Sequence, residues 1–225
     1  MSPANPHLHA PMGVFGASAR DASLAVILVH GRGQSPALMR ELVVDRFDRP
    51  DLAWFAPAAD ANTWYPERFI APLEANEPRL LQALERLARL SDDLRVWGLP
   101  PSKQVLVGFS QGACLCSEFA WRSPNRYAAL VAFTGALIGP PGTPRKSPRP
   151  ALAGLPVLLS TWRDDPHVPA DSVRESAELF RAAGAQVRLE IGPGVEHGIR
   201  AEEIDFARAL LADGPRDRMS MAGPK

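Results

Sequence analysis

In this chain of 225 residues, the residues able to do chemistry together are a serine set between glycines, a few histidines and one pair of adjacent carboxylates. Ser110 stands in Gly108-Phe109-Ser110-Gln111-Gly112, a pattern that lifts a hydroxyl above a sheet when a strand ends and a helix begins there. A serine hydroxyl at its ordinary pKa is a weak nucleophile. It needs a base to take its proton and a carboxylate to hold that base in the right tautomer. Outside the N-terminal tail that carries His7 and His9, the histidines are His30, His167 and His197. His197, inside Gly194-Val195-Glu196-His197-Gly198, ranks first as the base. His167 ranks second, and His30 is read as ordering the turn after its strand. For the acid, Arg163-Asp164-Asp165-Pro166 offers two carboxylates. Asp165 is favoured because Pro166 restricts its backbone and stiffens the loop, whereas Asp164 can turn to solvent or pair with Arg163. Donors for a developing oxyanion would be the N–H of Gln111 and the N–H of Arg32. The Arg32 side chain reads as a solvated surface arginine in preference to an anion contact.

Elements must place these groups at one edge of a sheet. Apolar runs of strand length alternate with helical patterns, which is the signature of a mostly parallel central sheet with helices on both faces. The spacing predicts strands at Leu24–His30, Leu52–Ala56, Gln104–Phe109, Ala128–Phe133, Pro156–Thr161 and Val187–Ile191. Helices are expected over Glu77–Leu90, Gln111–Trp121 and Ala201–Leu211, and after Pro156–Thr161 with Ser172 and Glu175 spaced as a capping box. Each site residue then follows the C-terminal end of a strand, where open α/β sheets bind ligands. The loop 139–150, rich in proline, leaves the same side and reads either as a stiff connection or as a wall or lid.

Composition narrows the function class. Hydrophobic residues make up 46% and charged residues 22%, enough for a buried core in one domain. The division is residues 1–20 as a tail or edge segment, 21–213 as the domain and 214–225 as a flexible tail. Lys plus Arg and Asp plus Glu balance at 25 each, so no net field draws the chain to nucleic acid. The apolar run Leu24–Val29 is far short of a membrane span. Residues 1–20 do not read as a secretory signal, so the expected address is cytoplasmic. Cys114 and Cys116 read as reduced core thiols in preference to a metal or redox pair.

The order Ser110, Asp165, His197 is that of α/β-hydrolases. Val29-His30-Gly31-Arg32-Gly33, Gly108-Phe109-Ser110-Gln111-Gly112-Ala113, Asp165-Pro166-His167-Val168-Pro169 and His197-Gly198 resemble the phospholipase/carboxylesterase family of that fold, which includes acyl-protein thioesterases. The resemblance runs from about Ala25 to Leu211. It implies an α/β-hydrolase fold without a large cap domain, and a serine esterase with neither metal nor organic cofactor acting on a small-molecule ester. Asn62-Thr63-Trp64-Tyr65-Pro66 resembles the bacterial esterase branch, in which this segment helps line the cleft, so Trp64 and Tyr65 are expected in the pocket. Thr161-Trp162 stands where the family usually has a small residue, often His-Gly, so Trp162 is expected to bear on pocket shape. The alternatives are a thioesterase, a catalytically silent binding protein of the same fold, and a dienelactone-hydrolase-like enzyme, which would prefer a cysteine nucleophile. A homodimer is compatible with all of them.

Overall fold

The computed structural model describes residues 4–145 and 150–212. Six parallel strands, β2 (Leu24–Val29), β3 (Leu52–Pro57), β4 (Gln104–Phe109), β5 (Ala129–Phe133), β6 (Pro156–Trp162) and β7 (Gln186–Gly192), form the body of one sheet, and β1 (Met12–Gly16) adds to it antiparallel. The order is β1-β3-β2-β4-β5-β6-β7. After the edge strand β1, the parallel part starts inside the sheet at β2, steps to β3 on one side and then winds outward from β4 to β7 on the other.

The central strands are apolar at nearly every position because both faces are covered. Alternation sorts the side chains. Ala25, Ile27, Val29, Leu106, Leu130 and Leu159 join one core with α3 (Arg79–Val96), α4 (Gln111–Arg122) and α5 (Ala170–Ala182). Val26, Leu28, Val105, Val107, Val131 and Leu158 face the other core. There they meet Met39, Val43 and Phe47 from α1 (Pro36–Met39), a π turn and α2 (Asp45–Phe47), and Ile204, Ala207 and Leu211 from α6 (Ala201–Ala212). No helix among the described residues is long and apolar enough to cross a membrane.

Strand β1 occupies part of the segment expected as a tail or edge, its main chain pairing with the free edge of β3. Three differences from the sequence reading have identifiable causes. Helix α3 continues past Leu90 to Val96, since Leu94 keeps the apolar stripe on the core. Helix α5 begins at Ala170, so Ser172 and Glu175 lie inside it and form no capping box. Glu175 instead accepts the Gly142 N–H at 2.8 Å. His7 is not in a loose tail either. It is fully buried in the 3-10 turn Pro6–His9.

His7 connects this N-terminal turn to the segment before the site. Its Nδ1 accepts the Asp60 N–H at 3.0 Å, which leaves Nε2 to donate to the Trp64 carbonyl at 3.1 Å. Burial, with Arg79 nearby, lowers its pKa from 6.5 to about 4. The native state thus holds His7 neutral, while the unfolded chain binds a proton below about pH 6.5. Stability is full above that pH and is lost as pH falls towards 4, by up to about 3 kcal/mol at 1.36 kcal/mol per unit. Thermal melting across this range is expected to show a shallower acid decline for His7→Gln than for the wild type. Because other titrating groups are common to both proteins, two parallel curves would remove His7 as the cause.

Candidate active site

The turn between β4 and α4 places Ser110. Its φ of 55° and ψ of −120° are rarely adopted by a residue with a Cβ, and such conformations cost about 1–3 kcal/mol where the surroundings hold them. Here the Ser110 N–H donates to the Phe133 carbonyl at 3.0 Å, and the Ser110 carbonyl accepts the Cys114 N–H at 3.0 Å. Glycine is required on both sides. A Cβ on Gly108 would collide with the Gly112 carbonyl, and one on Gly112 with the main-chain oxygens of Val29 and His30. Strand, turn and helix can therefore approach only with glycine at both positions.

His197 and Asp165 come from the loops after β7 and β6. His197 Nε2 lies 2.8 Å from Ser110 Oγ, and His197 Nδ1 lies 2.7 Å from Asp165 Oδ2. A carboxylate can only accept, so Nδ1 carries the proton and Nε2 is free to accept from the serine. The other oxygen, Asp165 Oδ1, accepts the N–H groups of His167 and Val168, both at 2.7 Å. The Asp165 side chain has no exposed surface. Asp164, one residue earlier, is exposed and donates its N–H to the Gly194 carbonyl at 3.0 Å. The first-ranked base and the favoured acid are thus the pair brought to Ser110. His167 stacks edge-on against His197 with ring centroids 4.8 Å apart. His30 holds its own turn, with Nδ1 donating to the Gly31 carbonyl at 2.7 Å and Nε2 accepting the Ala59 N–H at 3.0 Å.

A cavity of about 280 Å³ opens beside Ser110, lined by Gly31, Arg32, Gln34, Tyr65, Arg68, Phe69, Phe109, Gln111, Cys114, His167, Val168 and His197. Gln111 is the first residue of α4, where a backbone N–H has no partner within the helix. Its side chain ties down the neighbouring segment, accepting the Trp64 N–H at 3.0 Å and donating to the Tyr65 carbonyl at 2.8 Å. Tyr65 lines the cavity as expected from the sequence.

Trp64 and Trp162 do not line it, and the pocket assignment for both is corrected. Each indole N–H needs a buried acceptor, and finding one draws the ring behind the site. Trp64 Nε1 donates to the His30 carbonyl at 2.9 Å, and Trp162 Nε1 to the Gly198 carbonyl at 2.9 Å. Trp162 thereby fixes the residue next to His197. Arg200 lies over its ring, donates from Nη1 to the Thr161 carbonyl at 3.1 Å, and pairs through Nη2 with the fully buried Glu203 at 2.6 Å. Burial raises the Glu203 pKa. The sequence reading missed this support. Its signal is Arg200 and Glu203 three apart at a helix start, where an acidic residue also caps the Arg200 N–H.

The remaining expectations fall away from the site. Cys114 lines the cavity, but burial pushes its thiol pKa up to about 12, and its sulfur accepts the Ala136 N–H. It is therefore a thiol held protonated, unlike a nucleophilic cysteine. Of the loop 139–150, residues 146–149 lie outside the described residues. Its earlier part is held to α4 by Arg145, which pairs with buried Glu118 at 2.9 Å, and to α5 by the Gly142 N–H on Glu175, and none of residues 139–145 lines the cavity.

Comparison with known proteins bears on the family and the fold. The family model described as Phospholipase/Carboxylesterase matches residues 14–213. A phospholipase/carboxylesterase crystal structure from Dyadobacter fermentans superposes with a TM-score of 0.80 and 32% sequence identity, over 90% of this chain and 96% of that one. A probable carboxylesterase of Oryza sativa subsp. japonica is 27% identical over 86% of this chain and 78% of its own length. An acyl-protein thioesterase 1 of Gibberella zeae is 28% identical over 51% of this chain and 49% of its own. With the family model covering nearly the whole sheet and its helices, this chain belongs to the phospholipase/carboxylesterase family of ester hydrolases.

Proposed function

We propose that the protein is a serine carboxylesterase in which Ser110 is the nucleophile, His197 the general base and acid, and Asp165 the group that orients His197. The observation that carries the reading is the unbroken chain Ser110 Oγ to His197 Nε2 to Asp165 Oδ2, at 2.8 and 2.7 Å, facing a cavity. As Oγ attacks the ester carbonyl, its proton passes to Nε2, and the imidazolium that forms is balanced by Asp165. The carbonyl oxygen becomes an oxyanion, which the Gln111 and Arg32 N–H groups stabilise. Collapse of this intermediate breaks the bond to the alcohol oxygen, which leaves with the proton from Nε2. Water then attacks the acyl-enzyme, giving up a proton to the same imidazole, and the acid departs as Ser110 recovers its hydrogen. Every step is supplied by the chain's own residues, without a cofactor. Two buried free thiols support residence in the cytoplasm.

The thioesterase alternative rests on the similarity to the acyl-protein thioesterase and uses the same steps with a thiolate leaving group. Comparing kcat/KM for p-nitrophenyl esters of graded chain length with thioesters of the same acyl groups tests both. A clear advantage for the oxygen esters supports the carboxylesterase, a clear advantage for the thioesters reverses the order, and no turnover of either defeats both.

A base that must be neutral to act also predicts a pH dependence. From acid to neutral pH kcat/KM should rise and then level off, because a protonated base cannot take the Ser110 proton. Chelators should leave the profile unchanged. A flat profile across that range, or loss of activity with chelator and its recovery with a divalent metal, would count against this mechanism.

A further inference from the structure

The charge around the Ser110 cavity is one-sided. Some arginines elsewhere face carboxylates, as Arg49 faces Asp51, Arg79 faces Asp60 and Arg145 faces Glu118, whereas Arg46 and Arg181 donate to main-chain carbonyls. Arg32 and Arg68, both exposed and both lining the cavity, form no ion pair among the described residues. Arg32 is nonetheless held in place. Its Nη1 donates to the Pro66 carbonyl and its Nη2 to the Glu67 carbonyl, each at 2.6 Å. Arg68 Nη2 donates to the His167 carbonyl at 3.3 Å. Main-chain carbonyls orient a guanidinium without cancelling its charge, so the ordering is complete before a ligand arrives.

Among the described residues no aspartate or glutamate lines the cavity. The nearest carboxylate in the chemistry, Asp165, is fully covered and already accepts from three donors. The other two acidic groups in the wall, the Tyr65 phenol and the Cys114 thiol, are uncharged near neutral pH at their ordinary values, and burial pushes both further up. Phe69, Phe109 and Val168 complete apolar walls, which concentrate the field of two cations at the opening. The space is also small. Its volume of about 280 Å³ lies at the low end of the range for small-molecule sites.

From this we infer that the preferred substrates are small esters carrying a second, ionised oxyanion group, such as a carboxylate, on either the acyl or the alcohol part. Arg32 and Arg68 receive that group while Ser110 attacks the ester carbonyl. The inference rests on the esterase reading and adds the substrate class to it.

Two pairs of chromogenic esters test it. One pair places the charge on the leaving group, comparing 4-nitrophenyl acetate with its 3-carboxy analogue. The other places it on the acyl group, comparing the 4-nitrophenyl ester of monomethyl adipate with that of the free half-acid. Spontaneous hydrolysis is subtracted in each. In at least one pair the anionic ester should be favoured about ten-fold in kcat/KM at low salt, equivalent to about 1.4 kcal/mol. The ratio within the pair should fall several-fold at about 1 M salt, where the screening length is about 3 Å. It should also fall several-fold in Arg68→Gln and in Arg32→Gln. Because the ratio is read rather than a rate, partial loss of activity does not obscure it, and Arg68→Gln alone suffices if Arg32→Gln does not fold. Equal or faster hydrolysis of the neutral ester in both pairs, or a preference unchanged by salt and in Arg68→Gln, overturns the inference while leaving the esterase intact. Absence of turnover on all four esters overturns the esterase reading itself.

Discussion

Ser110→Ala is expected to remove ester hydrolysis almost entirely while the protein folds as before. The side-chain oxygen has one hydrogen bond in the site, to His197 Nε2, and that imidazole lines the cavity and is part-exposed, so water can take the place of the hydroxyl. The bonds that hold the turn belong to the main chain. The Ser110 N–H to Phe133 and the Cys114 N–H to the Ser110 carbonyl survive the change. Alanine also has the same Cβ as serine, so the strain at a φ of 55° is neither relieved nor increased. In a serine hydrolase of another fold, loss of the nucleophile costs about six orders of magnitude in kcat, and what remains comes from binding and the oxyanion donors. A fluorophosphonate probe should label Ser110 in the wild type and nothing in the variant, with the two melting curves close together. Labelling of a different serine, or a variant that keeps a tenth of the activity, would move the nucleophile elsewhere.

The parts of this site that were legible in the sequence are those whose chemistry is local. Gly108 and Gly112 are demanded by main-chain contacts within a few residues of Ser110 and across to Val29, and a string of five residues records that demand. The strands were legible for a similar reason, since burial on both faces leaves continuous apolar runs. Where the deciding partner lies far along the chain, the pattern gave less. Strand β1, Met-Gly-Val-Phe-Gly, has little strand character of its own and exists by pairing with β3. The family resemblance places the two tryptophans at the pocket, but the carbonyls that hold them belong to His30 and Gly198, 34 and 36 residues away. One element was recorded and not read. Met39, Val43 and Phe47 recur every four residues behind a Ser35 cap and Pro36, which is a helical start followed by an apolar stripe. Arg68 could be placed at the cavity only by the fold, because its position depends on how the segment after Trp64 packs against Gln111 and the loop carrying His167.

The adjacent carboxylates provide the other large effect, and they separate geometry from composition. Asp165→Asn keeps a side chain of the same shape beside His197, but an amide can present either an N–H or an oxygen to Nδ1. If the oxygen faces Nδ1, the tautomer is kept and the imidazolium is no longer balanced. If the N–H faces it, Nδ1 becomes the acceptor and Nε2 carries a proton that blocks it as a base. The surroundings favour the second arrangement. Oδ1 is held by the His167 and Val168 N–H groups, both of which need an acceptor, so the amide oxygen stays with them and the NH₂ turns to His197. The corresponding change in the serine protease triad costs about four orders of magnitude in kcat, and a loss of that order is expected here. Asp164→Asn should cost less than about three-fold. Its side chain is exposed, and the contact that anchors the residue, its N–H to the Gly194 carbonyl, is independent of the side chain. Measuring kcat for both variants on one p-nitrophenyl ester separates the two positions. A larger loss at Asp164 would mean that the loop sits one residue out of register in the working enzyme, and small losses at both would place the orienting acid outside this loop.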